Sequence, residues 1–319
     1  MSSHQSVDLT QDELTLGAAG RRWFVVLLGI GISGLAGALA LAAASAGGWD
    51  RFYPSYLVAF VYFVSLALGA LFFVLIQHAT RSGWSVAVRR LAEGVAPNLF
   101  FPMAFLAIPV LAGLHTLYPW TDHAVVAKDH LLHAKEPWLN VPFFYVRTVF
   151  YFGVWSALAF WFHRQSTTQD RSGDARLTKT MEKTSTVSLI VFAFTVTFFA
   201  FDFLMSLTPH WYSTIFGVYF FAGCVLGFFA LMSVLAFAVQ SAGALKRTIT
   251  TAHYHDIGKL IFAFTMFWAY IGFSQYMLMW YANLPEETVW YAARQEGSWA
   301  TISLVLLFGH FVLPFFALM

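Results

Sequence analysis

Eight times along this chain an apolar run continues for about twenty residues or more, and a helix needs about 20 to cross a bilayer. The runs are Trp23–Ala46, Pro54–Ala79, Asn98–Tyr118, Leu139–His163, Ser185–Leu207, Tyr212–Gln240, Ile257–Ala282 and Ser298–Met319. Barrel strands are excluded, because the runs far exceed about 11 residues and do not alternate. Only 11% of the residues are charged, whereas a soluble domain carries about 25%. The expectation is an all-α, polytopic transmembrane helix bundle.

Lys and Arg set the expected orientation, since cytoplasmic loops carry more of them. With the N-terminus cytoplasmic, that side collects Arg21, Arg22, Arg81, Arg89, Arg90, Arg164, Arg171, Arg176, Lys179, Lys183, Lys246, Arg247 and Lys259. The other side collects Arg51, Lys128, Lys135 and Arg294, and Arg147 falls inside a span. Thirteen against four predicts a cytoplasmic N-terminus, with a tail over 1–22 and a first spanning helix over 23–46. Gln165–Asp174 (QSTTQDRSGD) reads as a polar loop, Arg81–Gly94 as an interfacial amphipathic helix, and Thr10–Glu13 (TQDE) as a capping box. The polar first twenty residues carry no signal-peptide pattern. The last run stops at Met319 without a polar flank, which predicts further chain beyond it.

Charge inside the membrane is the next constraint. A helix rises about 1.5 Å per residue, which puts Asp202 about 8 Å and Arg147 about 12 Å below the outer end of their spans. His115 lies three residues from the outer end of its own span. A lone charge at mid-membrane costs about 2.5–3.5 kcal/mol on insertion scales, so pairing Asp202 with Arg147 is expected. Two readings stand: an ion pair that fixes helix register, or a quinol or proton site. Ser188, Thr195 and Asp202 are seven apart, a spacing that drifts only about 20° per step around a helix. Thr184 extends that face toward the cytoplasm. Such hydroxyls can line a proton path, or simply bond back to their own helix.

Other polar groups are candidates too. Asp256 and Lys259 open the seventh span, and His310 sits within the eighth. His78 and His163 end spans on the same side, which keeps a bis-histidine haem among the alternatives. The outer-loop histidines His123, His130 and His133 read as solvated rather than as metal ligands. One cysteine, Cys224, excludes an internal disulfide, a C-x-x-C-H haem attachment and a four-cysteine Fe–S site within this sequence. A transporter or ion channel is the rival class, since intramembrane charges serve those as well.

Two stretches, DFLMSLTPHWYSTIFGVYFFAG (Asp202–Gly223) and HDIGKLIFAFTMFWAYIGFSQYMLMWYANLPEETVWY (His255–Tyr291), resemble the membrane subunits of bacterial alternative complex III. The second is most similar to the smaller, ActF-like subunit, within the NrfD/polysulfide-reductase membrane-subunit family. The resemblance implies ten helices: two four-helix bundles with one flanking helix at each end. Residues 54–207 would form the first bundle and 212–319 an incomplete second one. It further implies a quinol:electron-acceptor oxidoreductase with a cytochrome c type acceptor. Haem and Fe–S centres would then sit on partners: a larger NrfD-like subunit, a periplasmic Fe–S subunit and c-type cytochrome subunits. Quinone or menaquinone from the membrane pool would be the exchangeable ligand, with no nucleic acid involved. Proton conduction and assembly are the roles such a subunit would carry, and a pure scaffold is the alternative.

Overall fold

A computed structural model describes residues 12–319. Thr10 and Gln11 of the expected capping box lie outside the described residues. Among the described residues eight helices are long and apolar enough to cross a membrane, so the protein is an all-α, multi-pass membrane bundle. The physical reason is that hydrocarbon offers no partner for a backbone N–H or C=O, and a helix satisfies both internally.

The main helices are α1 (Gly17–Ala44), α2 (Gly48–Ala79), α3 (Val86–Val95), α4 (Val141–Ser172), α5 (Ala175–Phe203), α6 (Phe216–Ser241), α7 (Thr251–Ala282) and α8 (Pro285–Gln295). A last span, Gly297–Leu318, follows. Helix α2 is central and packs on α5, α6 and α3. One contiguous core runs from Leu57 on α2 to Ile257 on α7, crossing the 207/212 division expected between two bundles. Helix α1 and the last span bury almost none of their side chains within the described chain.

Without a hydrophobic force between helices in lipid, close backbone approach and dispersion must hold them. Gly69 supplies the closest approach: a Cβ there would lie 2.2 Å from the Cys224 carbonyl oxygen and 2.5 Å from Phe228 Cβ. Gly69→Ala is therefore expected to push α2 off α6 and lower the thermal midpoint of the purified protein, at a cost of about 1–3 kcal/mol. Gly153→Ala, which meets nothing within 4 Å, is the control and should leave the midpoint unchanged. Equal melting of both variants would refute this account of how α2 and α6 pack.

Two local expectations are corrected, and a third is met and completed. The third span lies earlier than 98–118, over Val86–Ala112, and the chain from 96 to 117 is not one continuous helix. It breaks into the short turns Ala96–Leu99, Phe101–Leu106, Ile108–Ala112 and Leu114–Leu117. Pro97, Pro102 and Pro109 each lack an N–H and clash with the preceding turn, and Gly113 lies against the Tyr53 ring. Second, the polar stretch 165–172 is helical and belongs to α4. The loop shrinks to Gly173, at φ +67°, and Asp174, whose carboxylate caps α5 by accepting from the Arg176 N–H. Third, the amphipathic segment turns its buried face, Val88, Ala92 and Glu93, toward the bundle, where α3 packs on α2.

Candidate functional site

Helix α5 ends one residue after Asp202, and the turn that follows ties its end down. The Ser206 hydroxyl donates to the Asp202 carbonyl, and the Tyr118 hydroxyl donates to the Phe203 carbonyl at 3.0 Å. Facing this end, α4 opens at Asn140, whose side chain accepts the Phe143 N–H. Residues four apart share a helix face, so Arg147, Tyr151 and Trp155 form one stripe on α4. Ser188, Thr195 and Asp202 form the opposing stripe on α5.

The two stripes meet. Arg147 Nε and Nη2 donate to Asp202 Oδ2 and Oδ1 at 2.7 and 3.0 Å. Trp138 Nε1 donates to Oδ1 at 3.0 Å and the Tyr151 hydroxyl to Oδ2 at 2.6 Å. Each carboxylate oxygen therefore accepts two hydrogen bonds, the full capacity of an ionised carboxylate. The guanidinium gives Nη1 to the Trp138 carbonyl at 2.9 Å and lies 4.3 Å from the Trp138 and Phe143 ring centres, a cation–π clamp. Asp202 is 1% exposed and Arg147 5%, so the pair is a dry, fork-shaped bridge.

One turn below, Trp155 Nε1 donates to the Thr195 hydroxyl at 2.9 Å. That hydroxyl turns back to the Val191 and Phe192 carbonyls, and the Ser188 hydroxyl to the Thr184 carbonyl. The stacked hydroxyls are thus engaged by their own helix, as Ser and Thr often are.

Asp202 also forms part of the wall of a cavity of about 510 Å³, whose aromatic lining includes Trp138, Phe198, Phe201 and Trp211. Its polar lining includes Lys135 and His210. Burial pulls the Lys135 ammonium below the usual lysine range. His210 Nε2 faces Asp129 Oδ2 at 2.5 Å. Backbone N–H bonds, chiefly from Leu132, hold Asp129 below the usual aspartate range, and His210 adds to this. A lowered carboxyl stabilises the loop above its unfolded pKa, and that contribution is lost as pH falls through the folded value.

Other sequence candidates lie elsewhere. His115 is exposed on the Leu114–Leu117 turn, whose buried face is Leu114 and Leu117; the breaks at Pro109 and Gly113 have turned it out of the network. Lys259 and Asp256 pair at 2.7 Å on the surface of α7, a contact worth little in solvent. His310 sits in a π-helical stretch, Leu306–Val312, edge-on to Trp268 with ring centres 4.5 Å apart.

A second polar site, at the opposite end of α4 and α5, contains His78, offered by the sequence as half of a haem pair, together with a buried carboxylate that the sequence reading did not single out. Glu93 is 2% exposed. Arg90 Nη1 lies 2.7 Å and Arg89 Nε 3.5 Å from its oxygens, without an aligned hydrogen bond to either oxygen. It lines a cavity of about 1010 Å³ together with Gln77 and His78. The His78 ring packs on Phe162 at 5.5 Å. Among the described residues no three His, Cys, Asp or Glu side chains converge as metal ligands would.

No family model matches this chain, and no curated protein matches it. The functional reading therefore rests on the residues themselves.

Proposed function

We propose that this chain is an integral membrane subunit of a quinol:electron-acceptor oxidoreductase of the alternative complex III type. In this reading it is the ActF-like member of the NrfD/polysulfide-reductase group, with its N-terminus on the cytoplasmic side of a bacterial inner membrane. Its support for quinol oxidation would include proton conduction. The Lys and Arg asymmetry and the two stretches Asp202–Gly223 and His255–Tyr291 support the assignment.

The observation that carries it is Asp202, held by Arg147 and Tyr151, on the wall of an aromatic cavity. Quinol oxidation releases two electrons and two protons, and it needs fixed charge and proton-accepting groups in a dry site. Haem and Fe–S groups on partner subunits would take the electrons. Within this chain, the Tyr151 hydroxyl donates to Asp202 Oδ2 at 2.6 Å, and the Arg147 guanidinium faces the same carboxylate.

A scaffold reading draws on the same network, because a carboxylate with all four acceptor positions filled is also an anchor. The test begins with the solubilised native complex. The chain is expected to co-purify with haem- and Fe–S-bearing subunits and to support quinol-driven reduction of cytochrome c. Asp202→Asn, compared per assembled complex, should lower turnover and change its pH profile. Full turnover in that variant would leave Asp202 as an anchor, and a chain that purifies alone would sink the oxidoreductase reading.

A further inference from the structure

A third cavity, of about 670 Å³, lies between α7, α8 and the last span. Its walls are flat rings: Tyr219 and Trp268 stack with centres 5.5 Å apart, and Trp290 and Tyr291 pack at 4.9 Å. On its far side Trp290 stacks on Trp211, at 4.6 Å and 13°. Trp211 lines the Asp202 cavity, so the two cavities share this Trp–Trp partition.

Two polar groups in this aromatic lining matter most. Gln275 is 3% exposed, and its Nε2 has no hydrogen-bond partner. An orphaned amide donor in a dry site costs about 1–3 kcal/mol, a cost that an acceptor on a bound molecule removes. Arg294 is the second. It gives Nη1 to the Trp290 carbonyl at 2.7 Å and lies 3.3 Å over that ring. Among the described residues it pairs with no carboxylate, and burial pulls it below the usual arginine range. Both groups can only donate on the nitrogens concerned, and no Asp or Glu lines the cavity. The last span contributes Leu306, Leu307 and Phe311 from its π-helical stretch, a geometry that recurs at functional sites.

We propose that this cavity binds a planar ring carrying carbonyl acceptors, of the quinone class, with Gln275 and Arg294 as its hydrogen-bond donors. The ring is sandwiched by the aromatic walls and its carbonyl oxygens meet the two donors. The proposal rests on the oxidoreductase reading and adds to it the place where the quinone ring sits, one Trp–Trp wall away from Asp202.

The experiment is photoaffinity labelling of the full chain, in its complex and in lipid nanodiscs, with a short-tailed azido-quinone. Labelled peptides are mapped by mass spectrometry. Label is expected within 266–276 and 290–311, displaced by excess menaquinone analogue and not by anionic phospholipid. Gln275→Leu and Arg294→Gln should each weaken labelling about tenfold, the loss of one hydrogen bond in a dry site. Their thermal midpoints, measured alongside, show that the fold is retained. Lys259→Gln, at the exposed pair on α7, should label as the parent does. Label confined to the Asp202 cavity, equal competition by phospholipid, or full labelling of both folded variants would each overturn the site. Binding is read without turnover, so a failed oxidoreductase assay leaves this result standing. Conversely, quinol turnover without label here sinks only the site.

Discussion

Arg147→Leu should prevent the bundle from accumulating in the membrane. The change leaves the Asp202 carboxyl, 1% exposed, without its cationic partner and stripped of two of its four hydrogen bonds. Breaking a buried pair from one side costs about 3–5 kcal/mol, because the surviving charge is left uncompensated. That is a large fraction of the total stability of a typical fold. Asp202→Leu should be as damaging, since it strands the guanidinium between Trp138 and Phe143 with only the Trp138 carbonyl as partner. The double change Arg147→Gln with Asp202→Asn removes both charges while keeping hydrogen-bonding shapes, and it should restore most of the folded protein. The measurement is folded yield and thermal midpoint in detergent for the two single variants and the double. A double variant no better than the worse single would show that the two side chains act independently, against the bidentate geometry of the pair.

The second large effect is expected at Trp155. This ring is fully buried between Tyr151, Phe152 and Phe199, and its N–H donates to Thr195. Trp155→Ala opens a void between α4 and α5 and leaves the Thr195 hydroxyl without its donor, at a cost of about 3–5 kcal/mol. Phe150, also on α4, is 56% exposed on the face that meets lipid. Acyl chains can fill the space a smaller side chain leaves there, so Phe150→Ala should be close to neutral. Thermal unfolding of the two variants side by side decides the matter. Equal destabilisation would mean that hydrophobicity alone, rather than packing between helices, sets the stability of this bundle.

These two residues also mark how far the sequence can be read. Matching depths bring Asp202 and Arg147 to the same level, and the seven-residue spacing puts Ser188 and Thr195 on the Asp202 face. Tyr151 and Trp155 carry a signal of equal strength, four and eight residues after Arg147, but aromatic residues fill a membrane helix for many reasons. Their spacing counts only once the facing stripe on α5 is known. Trp138 could not be found this way, because it lies before α4 and reaches Asp202 through the conformation of a loop. Glu93 reads as part of a solvated amphipathic face until α3 is seen to turn that face toward α2.

What the sequence determined by itself is the number and kind of the spans. Those follow from local hydropathy and from the demand that backbone groups in hydrocarbon bond within their own segment. The kinked path of the third span is equally local, since its prolines forbid a continuous helix wherever they are packed. The rotation of each helix about its own axis is different. Turning α4 by a third of a turn leaves its hydropathy and its internal hydrogen bonds unchanged, yet it removes Arg147 from Asp202 and Trp155 from Thr195. Only packing between helices distant in sequence fixes that angle: the backbone approach at Gly69, the aromatic core and the fork of hydrogen bonds on Asp202. The cavities and their donor groups exist only after the helices have docked in that rotation, which is why tertiary structure alone decided where a ligand could sit.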